Sequence, residues 1–335
     1  MARNRTWWLL AAAVVILIPG RMIQASASSQ LDHEWQLFLI LLLTLAAAVL
    51  FLLCRLRRRP NEPYRAHPAP GAGIFSLLSG CSILAESVLL LAQIALGELD
   101  WNGGLIPVGN QVLFAALSGL SGIFGGITLM VWGGSLLRTG RLFLEHPIAA
   151  LFPAVWGVLN LLCLFMSYTL RPGFGRNFLV LVPFSLAVLF LYAQAGYFSG
   201  VHGPLGRRKI FQYGMPFILF GLVSSVPDLL LLATGGEPQT GLPVSTLLVL
   251  LFLSLYALWM LLSMRREAAF LLRGRNGITL LYGVDFPPDL PREDKEDSGE
   301  EEEDNSESAD EAEDADSDTA DRDEEDPFPP ESDET

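Results

Sequence analysis

The hydrophobic pattern of this chain consists of eight long apolar runs separated by short polar segments. The runs cover residues 7–22, 35–54, 74–96, 111–137, 148–170, 178–198, 210–234 and 242–264. All but the first are long enough to cross about 30 Å of hydrocarbon as helices. A soluble domain would instead show amphipathic elements with helical or strand period. The pattern predicts an all-α polytopic membrane protein: a bundle of seven to eight transmembrane helices with a disordered acidic C-terminal tail.

The first run, within residues 1–27, has two interpretations. Arg3 and Arg5 precede an apolar core, Pro19-Gly20 is expected to break the helix, and Ala25-Ser26-Ala27 offers a cleavage site. This layout is typical of a secretory signal peptide that is removed after Ala27. The other interpretation is a short first transmembrane helix that stays in the protein. The choice decides between seven and eight spans.

The arginine and lysine residues indicate how the spans are oriented. If the chain crosses the membrane at every run, 16 of its 22 Lys and Arg fall on one side. The other side holds only Arg21, Arg171 and Arg176, and the remaining three lie in the tail. Cytoplasmic loops carry this kind of excess. We therefore expect a multi-pass protein of the cell membrane with a cytoplasmic C-terminus.

The net charge of −14 is an average over two unlike parts. Residues 1–284 carry +9 and residues 285–335 carry −23. We therefore divide the mature chain into a helical transmembrane domain, 28–284, and a tail, 285–335, which lacks the apolar residues needed to offset its ordering entropy. The tail is either a binding segment for a basic cytoplasmic protein or a solvating appendage. The expected partners are the lipid bilayer and such a protein, with no nucleic acid.

The third run carries the best candidate for a functional site. Ser82, Glu86 and Gln93 share one helix face with Ser79. Glu86 falls near the middle of the membrane, where a carboxylate is costly and usually faces protein or a wet cavity. It is either a proton or cation site, or a protonated acid that hydrogen-bonds to a neighbouring helix.

Other intramembrane polar residues add to this candidate set. Pro227 in the seventh run removes a backbone hydrogen bond beside Asp228, which predicts a helix break of the kind that transporters use to expose ion-coordinating carbonyls. The alternative is a tolerated kink. Asn160 and Gln194 are amides within the fifth and sixth runs, for which we expect interhelical hydrogen bonds.

No motif predicts catalysis. The fourth run is rich in glycine, which favours close helix packing. Its Gly119-Leu120-Ser121-Gly122 resembles the GxSG of rhomboid intramembrane proteases over four residues. That chemistry needs a membrane-embedded histidine base, whereas all four histidines fall in loops or at span edges. The three cysteines are far apart and form no zinc motif. We expect no enzyme activity, cofactor or metal.

Three classes of function can be ranked, and an intramembrane enzyme comes last because the sequence offers no base–nucleophile pair or metal set. A membrane scaffold or sensor with a partner-binding tail fits the short loops and the scarce intramembrane charge. The alternative is a small-solute or ion transporter that uses Glu86 and the Pro227-Asp228 helix break. A water-filled cavity lined by Glu86 and Asp228 would favour the transporter, and a closed, dry bundle would favour the scaffold.

Overall fold

The computed structural model describes residues 5–26, 32–56, 68–97, 109–168, 174–201, 206–236 and 239–274. Three sequence features lie outside the described residues: the proposed cleavage point after Ala27, most of the arginine-rich segment between the second and third runs (residues 55–73), and the acidic tail 285–335.

The described chain contains nine α-helices. They are α1 Arg5–Ser26, α2 Asp32–Leu56, α3 Pro70–Leu96, α4 Gly109–Arg138, α5 Leu142–Glu145, α6 Phe152–Tyr168, α7 Phe174–Phe198, α8 Gly206–Ala233 and α9 Val244–Gly274. A 3-10 turn, Ala149–Leu151, links α5 to α6. Within these residues, eight helices, all except α5, are long and apolar enough to cross a membrane. The predicted fold class is confirmed: this is an all-helical, multi-spanning membrane protein.

The first helix differs from its prediction in length and continuity. α1 runs through Pro19 and Gly20 to Ser26, and Thr6–Ile23 qualifies as a span. The expected break was wrong because a proline deletes only one backbone hydrogen bond. The other backbone hydrogen bonds of the helix must persist, because no water is present inside the membrane to replace them. The same reasoning applies to α8, which continues through Pro227. The predicted Pro227-Asp228 helix break is therefore absent.

Six helices form a closed ring, and two more pack on its outside. Going around the ring, α3, α4, α6, α7, α8 and α9 each contact the next helix, and α9 returns to α3. α1 and α2 pack against each other and against α8. α8 is accordingly the most enclosed span: 72% of an 18-residue apolar stretch within it is buried, compared with 22% of Thr6–Ile23 in α1.

The α3–α4 contact depends on glycines. A Cβ added to Gly80 would lie 2.6 Å from the carbonyl oxygen of Gly126, and one added to Gly133 would lie 2.7 Å from that of Gly73. Ser76 Oγ donates a 2.7 Å hydrogen bond to the carbonyl of Leu129 across the same seam. The two backbones can approach this closely only without side chains between them. The packing role predicted for the glycines of the fourth run is confirmed for Gly126 and Gly133, whereas Gly134 has open space beside it.

Aromatic side chains fill the centre of the ring. Trp132 of α4 stacks on Phe143 of α5 with 4.1 Å between ring centroids, and it also contacts Phe198 of α7. Phe190 contacts Tyr256 of α9 edge-on. All five side chains are less than 2% exposed. The middle of the ring is therefore a packed core, whereas large apolar residues such as Trp8 and Val15 point outward, at 72% and 70% exposure, as lipid-facing residues do.

Candidate functional site

Glu86 lies where α3 meets α9. The Thr246 hydroxyl, in the first turn of α9, donates a hydrogen bond to Glu86 Oε1. Glu86 Oε2 is buried and has no hydrogen-bond partner among the described residues. The carboxyl group therefore faces a neighbouring helix, with one oxygen bonded and the other available.

The other polar residues of α3 do not gather around Glu86. Ser79 and Ser82 bond back to the carbonyls of Phe75 and Leu78 in their own helix, at 2.7 and 2.8 Å. Gln93 is exposed. A hydroxyl that bonds to the carbonyl four residues earlier satisfies itself locally. The structure thus brings Glu86 to Thr246 and does not assemble the predicted polar face into one site.

Asp228 occupies a different place, at the end of the bundle where α1 and α8 finish. This end, called the Arg21 end below, corresponds to the predicted outer side. Asp228 is fully buried, and its Oδ1 lies 3.5 Å from Nη2 of Arg21, which is also buried. Its Oδ2 accepts hydrogen bonds from the Thr240 backbone N–H, at 3.0 Å, and from the Thr240 hydroxyl. The carboxylate therefore has two hydrogen-bond donors, both from Thr240, and a neighbouring cation, Arg21, while its Oδ1 has no hydrogen-bond partner among the described residues.

A small pocket opens beside Arg21. The pocket has room for about one water molecule. Its polar lining consists of Arg21 and Gln36. The rest of the lining is apolar and comes from four helices: Leu17, Leu39, Ile40, Leu43, Leu179 and Val223. Neither Glu86 nor Asp228 lines it, so this pocket does not join the two acids.

A third polar contact lies in the centre of the ring, at Tyr256, a residue that was not predicted from the sequence as a partner. The Tyr256 hydroxyl accepts hydrogen bonds from Trp132 Nε1 at 2.9 Å and from Gln194 Nε2 at 2.7 Å. This confirms the interhelical bond expected for Gln194 and ties α4, α7 and α9 together. Asn160 is also buried, but its Nδ2 has no hydrogen-bond partner within the described part of the chain.

Arg21, Thr240 and Thr246 were also missed, for a physical reason. An arginine near a span end is assigned to a loop when charges are counted. Thr246 is an ordinary residue of an apolar helix, and Thr240 lies in the turn before α9. The available signal was the sequence of α1, in which Met22 and Ile23 follow Arg21 and place it inside the apolar run. Tyr256 and Ser254 similarly interrupt an otherwise apolar stretch.

The chemistry available to these groups is limited. Within the described residues, no group of three or more His, Cys, Asp or Glu could hold a metal ion. The three cysteines are free thiols. Ser121, the serine of the GxSG sequence, donates to the carbonyl of Ser118 at 3.0 Å. These polar groups can bond one helix to another, and the Glu86 carboxylate can also accept a proton.

The comparisons with known proteins add no family. No family model, no curated protein and no solved structure matches this chain. The class therefore rests on the fold itself: a multi-spanning, α-helical membrane protein.

Proposed function

We propose that this protein is a non-catalytic membrane scaffold or sensor of the cell membrane, whose cytoplasmic acidic tail binds a basic protein partner. The observation that carries the proposal is the filled centre of the ring. Trp132 and Gln194 both donate hydrogen bonds to Tyr256 there, and stacked aromatic side chains surround them. A solute pathway between these helices would have to displace packed aromatic residues.

The two intramembrane acids support the same proposal. Glu86 is held by Thr246, and Asp228 is held by Arg21 and Thr240, on separate helix pairs. Carboxylates that line a solute path would instead face a shared wet cavity. Both contacts serve naturally as interhelical bonds that hold a rigid bundle.

The tail provides the binding chemistry. Residues 285–335 carry −23, whereas the segments on the same predicted side of the membrane are rich in arginine. A long acidic segment is repelled by anionic lipid and attracted to basic protein surfaces. Attraction of this kind fades beyond a Debye length of about 8 Å at physiological ionic strength.

The test compares three versions of the full chain: the natural one, one truncated at Asp285, and one with the same tail residues in scrambled order. Each is cross-linked in intact membranes, and the linked basic proteins are identified. We expect one partner to be lost on truncation and in high salt. If the scrambled tail keeps the partner, charge alone mediates binding. If the linked proteins are the same with and without the tail, the proposal is wrong.

A proton- or ion-coupled transporter is the second candidate, because Glu86 Oε2 is buried without a hydrogen-bond partner in the described structure. The test is proton flux into proteoliposomes containing a pH-sensitive dye. If the protein is a scaffold, proton flux should not exceed that of empty liposomes, and the Glu86→Gln variant should fold normally. Flux that Glu86→Gln abolishes without unfolding the protein would establish the transporter instead.

A further inference from the structure

The first helix fits the bundle along one face. Its buried residues are Thr6, Leu10, Leu17 and Arg21, whose spacing places them within one stripe of an α-helix. This stripe packs on α2 and α8. Residues on the other side, such as Trp8 and Ile16, are 72% and 63% exposed. A signal peptide needs only overall hydrophobicity, whereas this helix has separate protein-facing and outward-facing sides.

Polar contacts fix the helix at both of its ends. At the Arg21 end, Arg21 pairs with Asp228 of α8. At the opposite end, the guanidinium carbon of Arg265 in α9 lies 5.6 Å from the ring centroid of Trp7, which is a cation–π contact. The helix therefore makes specific contacts to two spans that are far away in sequence.

The pair of Arg21 and Asp228 has a particular consequence for the rest of the protein. Asp228 is 0% exposed. If α1 were removed, its carboxylate would keep Thr240 as a donor and lose the nearby cation. A buried charge without its counter-charge is strongly unfavourable. The buried position of Asp228 therefore favours a folded protein that retains Arg21.

We infer that residues 5–26 remain covalently part of the folded protein, as a permanent transmembrane helix that supplies the counter-charge of Asp228. The groove between α2 and α8 is its docking surface. In this arrangement Asp228 pairs with Arg21 of α1 and does not serve as a binding site for a transported ion. This inference concerns the first helix alone and does not depend on the proposed function.

The first experiment measures the intact mass of the full chain, purified from membranes by a tag placed after Thr335. The expected mass includes residues 5–26. A mature chain that begins at Ser28 would overturn the inference.

The second experiment compares the thermal midpoint of the protein in detergent across variants. Arg21→Gln and Asp228→Asn are each expected to lower it by several degrees. The double variant should lose less than the two single losses combined, because neither charge is left unpaired. Glu34→Gln, which neutralises an exposed acid in α2, should leave the midpoint unchanged.

The thermal midpoints distinguish a protein that retains α1 from one in which α1 is cleaved off. Arg21 would be absent from a cleaved protein, so an Arg21→Gln midpoint equal to that of the natural chain would contradict the inference. If Arg21→Gln is not produced in folded form, recovery of folded protein in the double variant supports the pair. Equal failure of the double variant would contradict it.

Discussion

At the scale of single residues, the bundle is held by a few polar groups in apolar surroundings. Tyr256, Asp228 and Glu86 each accept hydrogen bonds from other parts of the chain. In a low-dielectric interior, such bonds matter less for what they add than for the cost of losing them. Replacing one of these acceptors should therefore destabilise the protein more than the few atoms removed would suggest.

Tyr256→Phe is the clearest case. It removes one oxygen and leaves the N–H groups of Trp132 and Gln194 buried without an acceptor. We expect a loss of about 1–3 kcal/mol in the free energy of unfolding for each orphaned donor. The measurement is reversible unfolding in mixed detergent micelles.

Tyr213→Phe is the matched control, since it deletes the same atom from a half-buried ring that contacts Phe51. We expect it to change stability little. Equal losses for the two variants would show that the bonds to Tyr256 do not stabilise the centre of the ring.

At the scale of elements, the closest helix pair is α3 and α4. Gly80→Ala should be destabilising by about 1–3 kcal/mol, because the new Cβ would lie 2.6 Å from both the Gly126 carbonyl oxygen and Met130 Cγ. Gly134 is the control: it lies in α4, and a Cβ there would meet nothing within 4 Å. Gly134→Ala should be neutral or stabilising by up to about 1 kcal/mol. Thermal unfolding of the two variants gives the comparison.

The elements were largely predictable from the sequence, because membrane insertion depends on local hydrophobicity. The apolar runs located all eight spans, although the first was judged too short and wrongly broken at Pro19. The pairings were not predictable. Nothing near Glu86 in sequence indicates Thr246, and nothing near Arg21 indicates Asp228, because both contacts depend on which helices become neighbours. Short-range features were easier: the glycine-rich sequence of α4 indicated close packing, which holds at Gly126 and Gly133 but not at Gly134.

At the scale of the whole molecule, the arginine distribution predicts the orientation of the protein in the membrane. Take a background that lacks Cys54, Cys81 and Cys163. Single cysteines at Ser28 and Gly236 should react with an impermeant reagent in intact cells, and one at Ser298 should react only after permeabilisation. Labelling at Ser298 in intact cells would reverse the predicted topology.

The acidic tail is predicted to be dispensable for the fold. Truncation at Asp285 removes the −23 segment and leaves every described helix in place. We expect unchanged expression and an unchanged thermal midpoint in detergent. A large loss of stability would show that the tail packs on the bundle and that the domain boundary is misplaced.

The pairing of Arg21 with Asp228 also affects how the protein is made. Arg21 leaves the ribosome long before Asp228, since five spans lie between the two helices that carry them. During that interval the cation has no counter-charge and can stay out of hydrocarbon only by extending its side chain to the membrane surface. Its burial must wait for α8. Although α1 is made before α8, it is therefore among the last of the described helices to reach its final position, and a chain arrested before α8 would hold α1 loosely in the bilayer.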